Sequence, residues 1–106
     1  MDAMTKTRYQ ARAKIMKALA HPTRLFIVEE LSNETKCVGE LTEMVGADVS
    51  TVSKHLSILK NAGLVSDDKQ GTQIYYTLRC LCVVNFFSCI ESVIREVTKE
   101  QIDILG

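Results

Sequence analysis

The hydrophobic pattern changes its period at Gly63, and this change constrains the fold more strongly than any other feature of the sequence. Before it, Val52, Leu56 and Leu59 recur at intervals of four and three residues, which is the spacing of one buried helix face. After it, the segment Ile74–Leu78 is rich in residues that favour strands. The sequence therefore predicts a helix that stops at Gly63 and a β-hairpin that follows it directly.

The predicted hairpin has a polar end. Its first strand begins at Leu64-Val65-Ser66, and the segment from Asp67 to Thr72 is expected to form the tip. The tip contains Lys69, Gln70 and Gly71, so it is polar and carries a basic side chain. A tip of this kind can reach the backbone or the minor groove of a nucleic acid.

Five helices are predicted around this hairpin, four before it and one after it. Pro22 is the only proline and fits the first turn of a helix, where its missing amide hydrogen costs nothing. Gly46 ends the third helix as a left-handed cap, and Asp48 or Ser50 can cap the fourth. The polar start of the first helix is expected to fray. The predicted bounds are about Arg8 to Ala20, Pro22 to an end in the polar run Ser32-Asn33-Glu34, Val38 to Val45, Ser50 to Asn61, and about Leu81 to Thr98.

The last predicted helix has an apolar face that is broad for a terminal helix. The residues of this face are Val83, Phe86, Phe87, Ile90, Val93, Ile94 and Val97. The first helix carries a narrower apolar stripe of Ile15, Met16 and Leu19. A terminal helix with such a face needs a large partner surface to cover it.

The length of the chain, its net charge and its N-terminal sequence limit the classes of protein to which it can belong. The 106 residues suit one domain, residues 1–106, and a hydrophobic content of 46% argues against disorder. Basic and acidic residues number 13 each, so any affinity for nucleic acid has to come from local charge. No stretch approaches the ~20 apolar residues of a bilayer span, and the N-terminus shows no apolar leader. We therefore expect a cytoplasmic protein with reduced cysteines and no membrane partner.

A short helix, a turn that contains glycine and a second helix form a helix-turn-helix. Here these are Val38–Val45, Gly46–Val49 and Ser50–Asn61. The outer face of the second helix carries short polar side chains such as Ser57, together with Lys54. Such a face can enter a major groove about 12 Å wide, although most amphipathic helices simply present a polar face to water.

Three segments resemble the arsenic-repressor (ArsR/SmtB) family of bacterial regulators. The longest is Ser50–Val65, and the others are Lys69-Gln70-Gly71 followed by Tyr75–Leu78, and Leu19–Leu25. The resemblance covers about residues 12 to 80. It implies a mainly α winged helix-turn-helix fold of four helices, a β-hairpin wing and a fifth helix. It also implies a homodimer, joined through the first and last helices, that binds double-stranded operator DNA until a metal or other inducer releases it.

By this resemblance the second helix of the motif and the wing contact DNA. The implied contact residues are Ser50, Thr51, Ser53, Lys54 and His55 on the helix, and Lys69, Gln70 and Gly71 on the wing. His55 lies about 60° from the direction of Val52, toward the core edge of the helix, so a packed structural role is favoured for it. His21 is expected to be a turn residue. We recognise no nucleophile–base pair and no phosphate loop, so no catalytic residue and no enzyme activity is predicted.

The four cysteines are candidates for sensing an inducer. In the arsenic-sensing branch of the family a Cys-Val-Cys pair stands where this chain has Cys37-Val38-Gly39, so that site is incomplete. The zinc-sensing branch uses histidine on the last helix, where this chain has none. That helix instead carries Cys80, Cys82 and Cys89, and thiolates favour soft centres such as As(III), Cd(II), Cu(I) or Zn(II). The predicted inducer is such a centre, As(III) first, held by Cys82 and Cys89 with Cys80 and Cys37 assisting, and no cofactor is required.

Other roles for the cysteines stay open. Cys82 and Cys89 are ~10.5 Å apart along a helix, so a shared ion needs Cys80, Cys37 or a second subunit. Thiol oxidation or persulfidation needs only two nearby sulfurs. The cysteines can also be small packed hydrophobes. The chain would then be an interaction module whose apolar last helix holds a protein partner without sensing.

Overall fold

The computed structural model describes the backbone of residues 1–105 and the side chains of residues 1–103. In that part of the chain five helices accompany a small antiparallel sheet, which confirms the predicted mainly α fold with a hairpin wing. The elements are α1 (Ala3–Leu19), α2 (Pro22–Asn33), β1 (Lys36–Cys37), α3 (Val38–Val45), α4 (Val49–Asn61), β2 (Val65–Gln70), β3 (Gln73–Leu78) and α5 (Cys82–Leu105).

The turn between α3 and α4 is fixed by two local interactions that the sequence predicts. Gly46 follows α3 with a φ of 76°, and its amide donates to the carbonyl of Thr42 at 3.0 Å. Glycine suits this position because residues with a Cβ are disfavoured at positive φ. Asp48 caps α4, since its Oδ1 accepts a hydrogen bond from the amide of Thr51 at 2.7 Å. A cap of this kind contributes about 1 kcal/mol to helix stability.

Both terminal helices are longer than predicted. α1 begins at Ala3 rather than near Arg8, because Asp2 caps it and accepts a hydrogen bond from the amide of Thr5 at 2.7 Å. The expectation that this start frays was therefore wrong. α5 continues past the predicted end at Thr98, since neither glycine nor proline interrupts the sequence between Cys82 and Leu105.

The wing is a longer hairpin than predicted. Asp67 to Gln70, which were expected to form the tip, belong to β2 and pair with β3 as far as Gln73. The turn consists of Gly71 and Thr72 alone. Gly71 has a φ of 64°, and glycine at the first turn position is typical of two-residue hairpins of the II′ class. Tight pairing thus extends the strands through polar residues that composition alone assigns to a loop.

A third strand joins the wing to the helix-turn-helix. β1 lies just before α3 and pairs antiparallel with β3, with Lys36 opposite Tyr76 and Cys37 opposite Tyr75. The strand order is β1-β3-β2, so β3 is the central strand. Two residues are too few to show a period, so the sequence does not predict this strand.

The core lies where α2, α3 and α4 meet the sheet. Val52, Leu56 and Leu59 of α4 have no exposed surface, as the sequence predicts. They pack in one cluster with residues from the neighbouring elements, among them Ile27, Val28, Leu31, Leu41, Leu64, Val65, Tyr76 and Leu78. Burying the three α4 side chains places the opposite face of this helix in solvent.

Much of the apolar surface of α1 and α5 is exposed. Met16, in the apolar stripe of α1, is 50% exposed, and Val93 of α5 is 62% exposed. Phe86, Ile90, Ile94 and Val97 are exposed as well. Among the described helices none combines the length and apolar content that a membrane span requires. The two terminal helices therefore present apolar area that the described chain does not cover by itself.

Candidate nucleic-acid interface and thiol pair

The outward face of α4 carries the polar residues that the sequence predicts as contacts. Ser50, Thr51 and Lys54 are exposed, and Ser53 is half-buried. The hydroxyl of Ser50 donates to Oδ1 of Asp48 at 2.7 Å, so the same carboxylate is hydrogen-bonded by two groups at the start of the helix. Hydrogen bonds from the Thr51 amide and the Ser50 hydroxyl lower the pKa of Asp48. The first turn of α4 is therefore ordered without a partner.

His55 faces α2 rather than the polar face of α4. Its ring lies 4.4 Å from the ring of His21, centroid to centroid, and its Nδ1 is 3.1 Å from Nη1 of Arg24. A guanidinium can only donate, so Nδ1 of His55 has to accept, and this assigns a neutral ring with its proton on Nε2. His21 caps α2 through Nδ1, which accepts a hydrogen bond from the amide of Thr23 at 3.1 Å. The packed role favoured for His55 is in keeping with these contacts, and its contact with DNA stays a prediction.

Arg24 ties three helices together. Its Nε donates to the carbonyl of Ala18 at 2.7 Å, and Nη2 lies 3.5 Å from the carbonyl of Lys17. Both carbonyls belong to the last turn of α1, where backbone acceptors have no partner within the helix. With Nη1 on His55, one side chain thus joins the end of α1 to α2 and α4. The sequence does not predict this role, because its only signal is the position of Arg24 in the first turn after Pro22.

Of the three residues predicted to contact DNA from the wing, two lie in a strand and one lies in the turn. Lys69 and Gln70 are exposed residues of β2, and Gly71 begins the turn. The side-chain Nε2 of Gln70 donates to Oδ2 of Asp68 at 3.0 Å. Lys60 of α4 pairs with Asp67 at 2.9 Å, and this contact joins the end of α4 to the base of the wing. Within the described residues, Lys69 takes part in no ion pair.

Two of the four cysteines are joined. Cys80 and Cys82 form a disulfide, with their Cα atoms 5.5 Å apart. The expectation that all four cysteines are reduced was therefore wrong for this pair. The reason is local geometry. Cys80 is the last residue before the turn into α5 and Cys82 is the first helical residue, and a Cα separation near 5.5 Å suits a disulfide.

The other two cysteines lie apart from this pair. Cys37 is buried in β1 opposite Tyr75, and Cys89 is exposed on α5, ~10.5 Å along the helix from Cys82. In the part of the chain that the structure describes, no group of three or more histidine, cysteine or acidic side chains is placed to hold a metal ion. One protomer thus brings together Cys80 and Cys82, but not the predicted Cys82 and Cys89. A site completed by a second protomer remains a prediction.

Known proteins match both the sequence and the fold. Residues 21–67 match the family described as bacterial regulatory protein, arsR family. The HTH-type transcriptional regulator Rv0081 of Mycobacterium tuberculosis is 30% identical over 98 residues, which make up 92% of this chain and 86% of that protein. The cadmium resistance transcriptional regulatory protein CadC homolog of Staphylococcus aureus is 39% identical over 67 residues, or 62% of this chain and 55% of that protein.

A solved structure agrees over almost the whole chain. It is the homodimeric winged helix-turn-helix DNA-binding domain Mb0332 of Mycobacterium bovis, described as a possible ArsR-family transcriptional regulator. It superposes with a TM-score of 0.78 at 27% sequence identity, and the match covers 94% of this chain and 93% of that one.

The neutral state of His55 makes stability depend on pH. Burial of the ring, followed by the charges of His21 and Arg24, lowers the pKa of His55 from 6.5. The unfolded chain binds this proton at a higher pH than the folded chain, so the stability contributed is present above about pH 6.5 and is lost as pH falls below it. The free energy of unfolding, measured with urea at pH 7 and pH 5.5, should fall less for His55→Gln than for the wild type. An equal fall in the two proteins would contradict this assignment.

Proposed function

The chain belongs to the ArsR family of bacterial regulatory proteins, which are transcriptional regulators and not enzymes, and we propose that it is a repressor that binds operator DNA as a homodimer. The observation that carries this proposal is the polar outward face of α4, held by a fully buried opposite face. We propose further that the Cys80–Cys82 pair controls the affinity for DNA. A repressor acts where its DNA is, so a cytoplasmic location is part of the proposal.

The proposed DNA contacts follow from what each side chain can donate. The hydroxyls of Ser50, Thr51 and Ser53 are short enough to let the helix approach base edges or phosphates closely. Lys54 would neutralise a phosphate, and no described ion pair competes for it. On the wing, Lys69 and Gln70 would contact a neighbouring backbone, with Gly71 allowing close approach at the turn. His55 contributes less, because Arg24 already occupies its Nδ1.

The proposed dimer uses the uncovered faces of α1 and α5. Both faces are apolar and exposed, and the related Mb0332 domain is described as homodimeric. A twofold axis through these helices would set the two copies of α4 about one DNA turn apart.

The thiol pair stands between the wing and the proposed dimer interface. Cys80 follows the end of β3, and Cys82 begins α5. In the proposed reaction two thiols give two electrons and two protons to an oxidant such as hydrogen peroxide, which becomes water as the sulfur–sulfur bond forms. The bond would fix the first turn of α5 against the end of β3. The protein would leave the operator if the disulfide stabilises the DNA-free conformation more than the DNA-bound one. A bond that stabilised both conformations equally would not change the affinity for DNA.

Binding of a thiophilic ion is the second candidate for control. Once reduced, Cys80 and Cys82 supply two thiolates at one position, and Cys89 is exposed on the same helix for a ligand shared between subunits. As(III) and Cd(II) suit such ligands, as do Zn(II) and Cu(I). The match to a regulator named for cadmium resistance supports this candidate for the present chain. Oxidation needs fewer groups, since the two sulfurs already meet within one protomer.

Removal of the Lys54 charge tests the DNA-binding proposal. The duplex would be an operator obtained by in vitro selection from random DNA, and its dissociation constant would be measured by fluorescence anisotropy over a range of salt concentrations. Lys54→Ala should weaken binding and lower the salt slope by about 1.8, since one phosphate contact is lost in each of the two protomers. Lys99→Ala on α5 removes the same charge far along another helix and should leave the slope unchanged. An unchanged slope for Lys54→Ala would remove this residue from the interface.

Serine variants of the four cysteines test the control of binding. Treatment of the reduced wild type with peroxide should weaken operator binding by about 5- to 150-fold, the range of ordinary allosteric coupling. Cys80→Ser and Cys82→Ser should lose this response, and Cys89→Ser and Cys37→Ser should keep it. A response to As(III) or Cd(II) that also needs Cys89 would favour the metal candidate. Mass spectrometry separates a linked pair from a persulfide adduct, and full responses in all four variants would exclude control by these thiols.

A further inference from the structure

The charge of the chain is unevenly distributed, and α1 holds most of the local excess. The complete sequence is neutral, but between Ala3 and Leu19 five basic residues occur without an acidic one. These are Lys6, Arg8, Arg12, Lys14 and Lys17, and all are exposed. The proposed function assigns no role to these five side chains.

The five basic residues lie on two sides of α1. At 100° per residue, Lys6, Lys14 and Lys17 fall within an arc of about 80°, which also contains Gln10. Arg8 and Arg12 lie on either side of the direction of the buried Leu19, at least about 120° from each of the three lysines. We call the side with the three lysines the lysine edge. It is ~16.5 Å long at 1.5 Å per residue.

The C-terminal part of the lysine edge lies beside α4. Lys14 and Lys17 line one surface groove of about 260 Å³ together with Ile58, Asn61 and Ala62 at the end of α4. Ile58 is 42% exposed and Asn61 is exposed, so the groove opens on the outward side of α4. The edge therefore continues the polar face that begins with Ser50 and Lys54.

The position of the edge relative to α4 is held by Arg24. This side chain donates to the carbonyls of Lys17 and Ala18 and contacts His55 of α4. The backbone of Lys17 is thus fixed, while its side chain extends into solvent. A lysine on a fixed backbone loses less conformational entropy when it binds than a lysine on a mobile arm, because its backbone is already ordered.

We propose that Lys14 and Lys17 bind the phosphate backbone of DNA beside the groove that α4 enters, and that Lys6 extends this contact. The inference rests on the proposed function, because the edge adjoins the face assigned to DNA. A stripe of ~16.5 Å matches about five nucleotides of one strand at 3.4 Å per step. Contacts of this kind add affinity and fix orientation without reading sequence. They also give a neutral chain the local positive charge that DNA binding requires.

The test compares two double variants of the same helix. Lys14→Gln/Lys17→Gln removes two charges from the lysine edge, and Arg8→Gln/Arg12→Gln removes two charges from the other side. For the first variant the slope of log affinity against log salt should fall by about 3.6, because two phosphate contacts are lost in each of the two protomers, with similar loss on selected operator and on random duplex DNA. The slope of the second variant should stay close to that of the wild type. Sedimentation and thermal unfolding establish that both variants keep the association state and fold of the wild type.

The outcomes separate this inference from the proposed function. If the wild type binds no duplex DNA, the proposed function fails. If the wild type binds operator but Lys14→Gln/Lys17→Gln keeps its salt slope, only the lysine edge is excluded. Equal losses in the two double variants would mean that net charge, rather than the position of these lysines, governs binding, and this result also overturns the inference.

Discussion

Burial of one face of α4 is the constraint on which the rest of the structure depends. Val52, Leu56 and Leu59 have no exposed surface, and burying side chains of this size contributes about 1.5–3 kcal/mol each. Because these three residues point into the core, Ser50 and Lys54 have to point outward. The face proposed to contact DNA is therefore fixed by hydrophobic packing and does not depend on a bound partner.

The elements around α4 connect that face to the termini of the chain. Arg24 joins the end of α1 to α4, while Lys60 and Asp67 join α4 to the wing. The wing continues through Cys80 and Cys82 into α5, which carries the uncovered apolar face. A chemical change at the cysteine pair thus acts on the segment between two elements that the proposed function assigns to DNA and to the second subunit. Coupling between the cysteine pair and the face proposed to bind DNA therefore requires no separate signalling domain.

The sequence predicted best those elements whose ends are set by local chemistry. The bounds of α3 agree with the structure and those of α4 differ by one residue, because Gly46, Asp48 and Gly63 determine the ends. It missed features that depend on pairing across the chain, such as β1 and the long strands of the wing. The contacts of Arg24 were missed for the same reason. The Cys80–Cys82 bond joins residues only two positions apart. It was missed because helical geometry predicts the spacing of sulfurs only within α5, and Cys80 precedes that helix.

The central claim is that two copies of this chain bind one operator together, each through its own α4. Sedimentation velocity of the reduced wild type at micromolar concentration, with and without a selected operator duplex, tests this claim most directly. The account predicts a dimer in the absence of DNA and a complex of two protomers per duplex. A stable monomer that binds the duplex as a single copy would contradict it.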